Sequence, residues 1–106
     1  AKIPWRTRKE AHIAVVREAS PSARAIVLAD KFHNLGSMVF DLERGEELWS
    51  RFNTSPEDLI WYHRKIVAAA TTLPASAASL IVERINILAS ECQRLIDHLA
   101  NSAPRS

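Results

Sequence analysis

A carboxylate, an amide and a hydroxyl follow an apolar turn in the stretch A-I-V-L-A-D-K-F-H-N-L-G-S-M-V, which begins at residue 25. In a helix, at about 100° per residue, Asp30, Asn34 and Ser37 fall close together on one face. A carboxylate is a good ligand for a hard or intermediate cation, and a side chain four residues later lies beside it. The spacing therefore indicates a polar face on one helix, on which Asp30 is a candidate metal ligand.

The turn before Asp30 is apolar on every side, because residues 25–29 are all Ala, Ile, Val or Leu. We therefore expect protein to surround this turn and the carboxylate that follows it. An ionised carboxylate in such surroundings is costly unless it meets a cation or several N–H donors. This pattern leaves two interpretations open, a structural ion pair with Arg6 or Arg24 and a metal ligand.

Helices must position these groups, since apolar residues recur at helical spacing and the sequence has only two glycines and no alternating β-branched runs. The predicted fold class is all-α, a helical bundle. The predicted elements are a helix over about 6–19, a second from Pro21 to near Gly45, a short turn within 46–52, a third from Pro56 to about Thr71, and a last helix that includes 81–99.

Serine-proline pairs mark two of the predicted helix starts. Ser20 and Ser55 are expected to cap the helices that Pro21 and Pro56 begin, and Asp58 would complete a capping box with Ser55. Two apolar stripes repeat at intervals of three and four residues. Their members are Leu28, Phe32, Leu35, Val39 and Leu42 in the second helix, and Ile81, Ile85, Leu88, Cys92, Leu95 and Leu99 in the last.

Composition limits the classes of protein to consider. A chain of 106 residues with 47% apolar and 25% charged residues is expected to form one globular domain, and no apolar run is long enough to cross a bilayer. The expected location is cytoplasmic, with no membrane partner. The net charge is +2, and no long basic stripe with interleaved aromatic residues is present, so nucleic acid is not an expected partner. Cys92 is expected in the core.

The octapeptide L-A-D-K-F-H-N-L, residues 28–35, resembles the L-A-D-[KR]-x-x-N-[LM] signature of HD-domain phosphohydrolases. It is closest in pattern to the RelA/SpoT-type guanosine polyphosphate hydrolases and their small single-domain relatives. The segments W-R-T-R-K-E before it, and W-S-R-F-N and W-Y-H-R after it, are similar to the flanks in those small relatives. The resemblance covers roughly residues 4–70 and is densest at 28–38.

The resemblance implies a role for several residues. Asp30 matches the last ligand of a divalent metal ion, usually Mn²⁺, Asn34 matches a contact to the nucleoside, and Ser37 matches a small polar position in the same pocket. Tyr62 falls near an aromatic residue that borders the nucleotide. The implied substrate is a guanosine polyphosphate or related nucleotide, from which the enzyme removes the 3′-pyrophosphate. The basic residues expected to hold its phosphates are Arg6, Arg8 and Lys9.

The chain departs from the family in one important respect. The other metal ligands of the family are an earlier histidine and a His-Asp pair, and this chain contains no His-Asp dipeptide. We therefore expect residues 1–106 to be the C-terminal part of an HD domain that lacks its N-terminal helices and is inactive alone. An apolar face left uncovered in this way would favour self-association. Of the four histidines, His63 is expected in the core and His12 and His98 at the surface.

A function of a different class is the alternative interpretation. The chain would then be a non-catalytic helical interaction or regulatory module that uses its long last helix to bind a partner or a second copy of itself. Binding of Mn²⁺ and of a guanosine nucleotide would distinguish the enzyme from the module.

Overall fold

The computed structural model describes residues 3–104, and within that range it contains four α-helices, one 3-10 turn and no strand. The prediction of an all-α helical bundle is confirmed. The elements are α1 (Trp5–Glu18), α2 (Pro21–Glu43), the 3-10 turn (Trp49–Arg51), α3 (Pro56–Thr71) and α4 (Ser79–Ser102). None of these helices is both long enough and apolar enough to span a bilayer.

The two serine caps are present as the sequence predicts. Ser20 Oγ accepts a hydrogen bond from the Ala23 N–H at 3.2 Å, and Ser55 Oγ accepts one from the Asp58 N–H at 3.1 Å. The second half of the expected capping box is wrong, because the Asp58 carboxylate pairs with Arg6 at 3.5 Å instead of returning to Ser55. The caps fix where α2 and α3 begin, and Asp58 ties α1 to α3.

Helix α2 ends at the predicted glycine. Gly45 has a φ of 79°, a conformation that L side chains rarely adopt. Its N–H donates to the Leu42 carbonyl at 3.0 Å, and the Glu46 N–H donates to the Asp41 carbonyl at 3.1 Å, which is the bonding pattern of a Schellman motif. Gly36 does not interrupt the helix, and a methyl group added there would meet no atom within 4 Å.

Neighbouring contacts define the helix directions. Helices α1 and α3 run parallel, since Arg6 near the start of α1 pairs with Asp58 near the start of α3. Helix α2 runs the opposite way, and α4 runs alongside it, with the Leu28 carbonyl 3.5 Å from Cys92 Sγ. The fold is a plate of 43 × 37 × 18 Å with a radius of gyration of 14.6 Å. A compact domain of this size has a radius of gyration of about 13 Å, so this fold is flatter than a typical compact domain.

The core lies where the two predicted stripes meet. Leu28 and Leu35 of α2 are at most 1% exposed, and so are Ile85 and Cys92 of α4. Burial raises the pKa of the Cys92 thiol to about 11, so this cysteine is an inert core residue, as expected. The stripe of α2 is only partly covered, because Phe32 keeps 38% of its surface. Three tryptophans are half-buried against the core: Trp5, Trp49 and Trp61.

A buried guanidinium joins three helices near one end of the plate. Arg24 of α2 is 5% exposed, and its Nε donates to the Ala19 carbonyl at 2.9 Å. Its two terminal nitrogens donate to carbonyls of Arg17, Ala69 and Thr72. These carbonyls belong to the C-terminal ends of α1 and α3, where the helix dipole is negative. The charge of Arg24 is therefore compensated by backbone carbonyls rather than by a carboxylate.

We expect Arg24→Met to lower the free energy of unfolding by about 3 kcal/mol or more, because it leaves several buried carbonyls without a donor. Urea denaturation followed by circular dichroism measures the change. Arg17→Met is the matched control, since the Arg17 side chain is exposed and only its carbonyl is used. The control is expected within about 0.5 kcal/mol of the parent. Equal stability of the two variants would show that Arg24 does not hold the helix ends together.

Candidate functional site

Asp30 lies on the outer side of α2 with 61% of its side chain exposed. The expectation that protein surrounds it is wrong. Ile26, one turn earlier, is 71% exposed, so one side of the apolar turn faces solvent. An all-round apolar turn does not tell which of its sides the rest of the chain covers, and here only Leu28 and its neighbours on the inner side are buried.

The first of the two interpretations, an ion pair of Asp30 with Arg6 or Arg24, is also wrong. Arg24 bonds backbone carbonyls, and Arg6 pairs with Glu10 and Asp58. The Asp30 carboxylate instead lies 3.5 Å from the Lys31 ammonium. Both side chains of that pair are adjacent in sequence, so the contact needs no tertiary structure and leaves the outer side of the carboxylate accessible.

Asn34 and Ser37 share the outer side of α2 with Asp30, as the spacing predicts. The Asn34 amide donates to Asp30 Oδ2 at 3.4 Å across one helical turn. Asn34 is half-buried, and Ser37 is exposed one turn further on. The roles that the resemblance gives these residues stay predictions. Their positions form a polar row along α2 that a ligand can reach.

Tyr62 of α3 is 5% exposed and lies at the centre of a group of rings. Its ring centroid is 6.3 Å from those of Trp5 and His12 and 5.3 Å from that of His63. Tyr62 also forms part of the wall of an open cavity of about 410 Å³ between α1, α3 and the loop after the 3-10 turn. Its predicted place beside a nucleotide stays a prediction, and only an edge of its side chain reaches that cavity.

Three basic side chains, Lys9, His12 and Lys31, lie around the Tyr62 ring, and Arg8 lies near Lys9 on the wall of the cavity. We call these four residues the cationic cluster. The ammonium groups of Lys9 and Lys31 lie 4.7 Å and 5.4 Å from the centroid of Tyr62. Such cation–π contacts offset only part of the repulsion between neighbouring charges. In residues 3–104, Arg8 and Lys9 form no ion pair, and Lys31 has only the exposed Asp30.

Burial and neighbouring charges both act on the pKa of two members of the cationic cluster, Lys9 and His12. Burial lowers the pKa of Lys9, and the charges of Lys31 and Arg8 lower it further. The pKa of His12 is lowered by burial and then by Lys31 and Lys9. Lys9 and His12 are therefore easier to deprotonate than usual, chiefly because they are partly buried and secondly because positive charges lie nearby. A bound anion would relieve this repulsion.

Metal ligands are scarce around Asp30. In the described part of the chain, no three His, Cys, Asp or Glu side chains come together in a way that could hold a metal ion. The groups nearest to the Asp30 carboxylate are an ammonium and an amide, and an ammonium cannot coordinate a cation. His63 is buried with its Nδ1 2.9 Å from the Leu59 carbonyl. Residues 3–104 therefore do not fit a metal ion by themselves.

Two residues of this region were missed in the sequence. Lys31 sits inside the octapeptide, next to Asp30, and its position could have suggested a phosphate contact. Arg51 lines the same cavity as Tyr62, although it already pairs with Asp41 at 2.8 Å and Glu46 at 2.9 Å. The meeting of α1 and α2 charges over one ring depends on helix packing, which no local pattern in the sequence encodes.

No protein-family model, curated protein or solved structure matches the chain.

The lowered pKa values of His63 and His12 make the stability of the fold depend on pH. The pKa of His63 is lowered chiefly by burial, and that of His12 likewise. In the unfolded chain both groups bind a proton below about pH 6.5, whereas the folded chain resists it. We therefore expect the free energy of unfolding to have its highest value above about pH 6.5, and to decrease as the pH falls below about 6.5. Urea denaturation at pH 7.5 and pH 5 measures the difference.

The matched pair of variants for this experiment is His63→Gln and His33→Gln, since His33 is an exposed residue of α2. Replacing His63 is expected to reduce the loss of stability between pH 7.5 and pH 5, and replacing His33 is expected to leave it unchanged. The same pH dependence in all three proteins would contradict the assignment to His63.

Proposed function

We propose that the chain provides the nucleotide-binding wall and one metal ligand of an HD-superfamily phosphohydrolase that removes the 3′-pyrophosphate from a guanosine polyphosphate. The observation that carries the proposal is the cationic cluster, which faces an aromatic wall and lies next to Asp30 and Asn34 of the octapeptide. This combination suits a ligand with several phosphates, a purine ring and a sugar.

The cationic cluster supports the phosphate part of the proposal. Arg8 and Lys9 line the 410 Å³ cavity, and neither has an ion-pair partner within residues 3–104. Charge-assisted hydrogen bonds from such groups to phosphate oxygens are among the stronger polar contacts in proteins. A polyphosphate supplies several negative charges at once, so in this cavity it would compensate Arg8 and Lys9 together.

The nucleoside part rests on Trp5 and on the polar row of α2. Trp5 lines the cavity and is only half-buried, so part of its ring is available for stacking. Asn34 has one donor and one acceptor group, and Ser37 adds an exposed hydroxyl one turn away. In the proposed enzyme, Asn34 and Ser37 contact the nucleoside, as in the family that the octapeptide resembles.

Asp30 is the one proposed metal ligand in this chain. Its exposure keeps the carboxylate open to an ion and to other ligands. Because the described residues do not form a metal site, the proposed enzyme needs a histidine and a His-Asp pair from a further segment, which is where the family has them. The chain by itself is expected to bind nucleotide but to have no hydrolytic activity.

Nucleotide binding is measurable on the chain itself. We expect isothermal titration calorimetry to show binding of guanosine tetraphosphate without added metal, and Lys9→Gln to raise the Kd about tenfold or more, because one charge-assisted contact contributes about 1.5–3 kcal/mol. Lys65→Gln is the control, since Lys65 is an exposed lysine of α3 outside the cluster. A parent chain without binding, or a Lys65 variant as weak as the Lys9 variant, would contradict the proposed phosphate contacts.

Catalysis is measurable in a protein that joins this chain to the missing ligands. There we expect Asp30→Ala to lower the Mn²⁺-dependent release of pyrophosphate by more than about 100-fold, because even the outer partners of metal ligands cost 10–100-fold when they are replaced. Asp97→Ala is the control, as Asp97 is an exposed carboxylate of α4 that pairs with Arg64. If the Asp30 variant turns over substrate as fast as the parent, Asp30 is not a metal ligand.

The non-catalytic interaction module remains the second candidate, and the exposed apolar side chains favour it. Ile26, Phe40, Leu80 and Ile87 each keep more than half of their surface exposed, at 71%, 56%, 64% and 58%. Large exposed apolar areas are typical of interaction surfaces. If the longer protein binds neither Mn²⁺ nor guanosine tetraphosphate, the module is the better description.

A further inference from the structure

Helix α4 carries a second stripe beside its buried one. Its members repeat at intervals of four and three residues, and at 100° per residue they fall within about 80° of one another. They are Leu80, Arg84, Ile87, Glu91, Arg94 and His98. The two apolar members, Leu80 and Ile87, are 64% and 58% exposed. The stripe therefore faces outward although its spacing is that of a helix-packing surface.

The stripe continues onto α2. His98 Nε2 lies 3.9 Å from Glu43 Oε1, which brings this side of α4 next to α2. On α2, Phe32 and Phe40 are 38% and 56% exposed. We call the α4 stripe together with Phe32 and Phe40 the α2–α4 face. It contains four of the seven large hydrophobic side chains that are exposed in residues 3–104.

The described residues leave this face uncovered. Its apolar members Leu80, Ile87 and Phe40 keep more than half of their surface exposed, and Phe32 keeps 38%. Water contact with such a row of apolar side chains is unfavourable, so association that buries them is favoured.

We propose that a second copy of this chain covers the α2–α4 face, with the two α4 helices antiparallel about a two-fold axis between residues 87 and 88. The charges of the stripe are what select a second copy. In this register Arg84 lies opposite Glu91 of the partner subunit, and symmetry repeats the pair on the other side of the axis. Ile87 lies at the axis, where the apolar contact is most fully buried.

The two charges that this register pairs differ in their contacts within the chain. Arg84 has no ion-pair partner within residues 3–104, so it is available to a carboxylate of another subunit. Glu91 accepts two hydrogen bonds from Arg94 at Oε2, at 3.2 Å and 2.8 Å, so Arg84 of the partner subunit would share this carboxylate with Arg94. The overlap covers residues 79–96 of each helix, a length of about 27 Å. Opposite charges at such positions set the register and direction of paired helices.

The pairing does not depend on the proposed enzymatic function. None of its residues belongs to the cationic cluster or to the polar row of α2. A chain that binds no nucleotide could still form this dimer, and a chain that binds nucleotide could fail to form it.

Sedimentation equilibrium of the full chain tests the inference. We expect a dimer at tens of micromolar protein, and Ile87→Lys is expected to raise the dimer Kd at least about tenfold. Val15→Lys is the matched control, because Val15 of α1 is 65% exposed and lies outside the α2–α4 face. Circular dichroism checks that both variants stay helical, so a change in mass reports association rather than unfolding.

Charge reversal tests the register. Arg84→Glu and Glu91→Lys should each weaken the dimer about tenfold, since each places like charges opposite one another. The double variant restores opposite charges and is expected to return the dimer Kd to within about threefold of the parent. A monomeric parent at several hundred micromolar, a dimer that Val15→Lys disrupts and Ile87→Lys does not, or a double variant as weak as the single ones would each overturn the proposal.

Discussion

The buried guanidinium of Arg24 is the interaction on which the arrangement of the helices depends. It belongs to α2, but its hydrogen bonds go to backbone carbonyls at the ends of α1 and α3. Because α1 and α3 run parallel and both end at this guanidinium, their earlier turns are held side by side. The turn of α1 with Lys9 and His12 therefore lies against Tyr62 of α3, and Lys31 of α2 approaches the same ring. A buried charge with so many fixed acceptors tolerates little movement of the helices around it.

Positioning of this kind explains how the fold keeps a cluster of like charges. Burial, and after it the neighbouring positive charges, lower the pKa of Lys9 and of His12, which is a cost in the absence of a ligand. The aromatic rings of Trp5 and Tyr62 offset part of that cost. Arrangements that cost stability and gain from a ligand are typical of binding sites. The exposed carboxylate of Asp30 adds the opposite charge at the edge of the cluster, where a phosphate and a cation could meet.

The sequence allowed the helices and most of the core to be predicted, because these depend on local chemistry. Ser20 and Ser55 cap through their own neighbouring N–H groups, and Gly45 ends α2 through a backbone conformation that few other residues adopt. The environment of Asp30 could not be predicted, since the covering of the apolar turn before it depends on where α1, α3 and α4 pack. The partners of Arg24 could not be predicted either, because they are backbone carbonyls, which every residue type has. The positions of the polar row of α2 were predicted correctly. The roles of its residues depend on which ligand binds, and a binding experiment is needed to measure that.

Helix α2 separates two surfaces with different chemistry. One side presents Asp30 and Asn34, beside the charges that α1 contributes, and the other side presents Phe32 and Phe40 beside α4. The buried row that contains Leu28 and Leu35 lies between these two surfaces. The packing of this row therefore sets the orientation of both surfaces. This division requires a helix with three distinct faces, which is why α2 does not show the simple two-sided pattern of a surface helix. An anionic ligand and a second subunit could therefore bind at the same time, since neither would occupy the surface that the other needs.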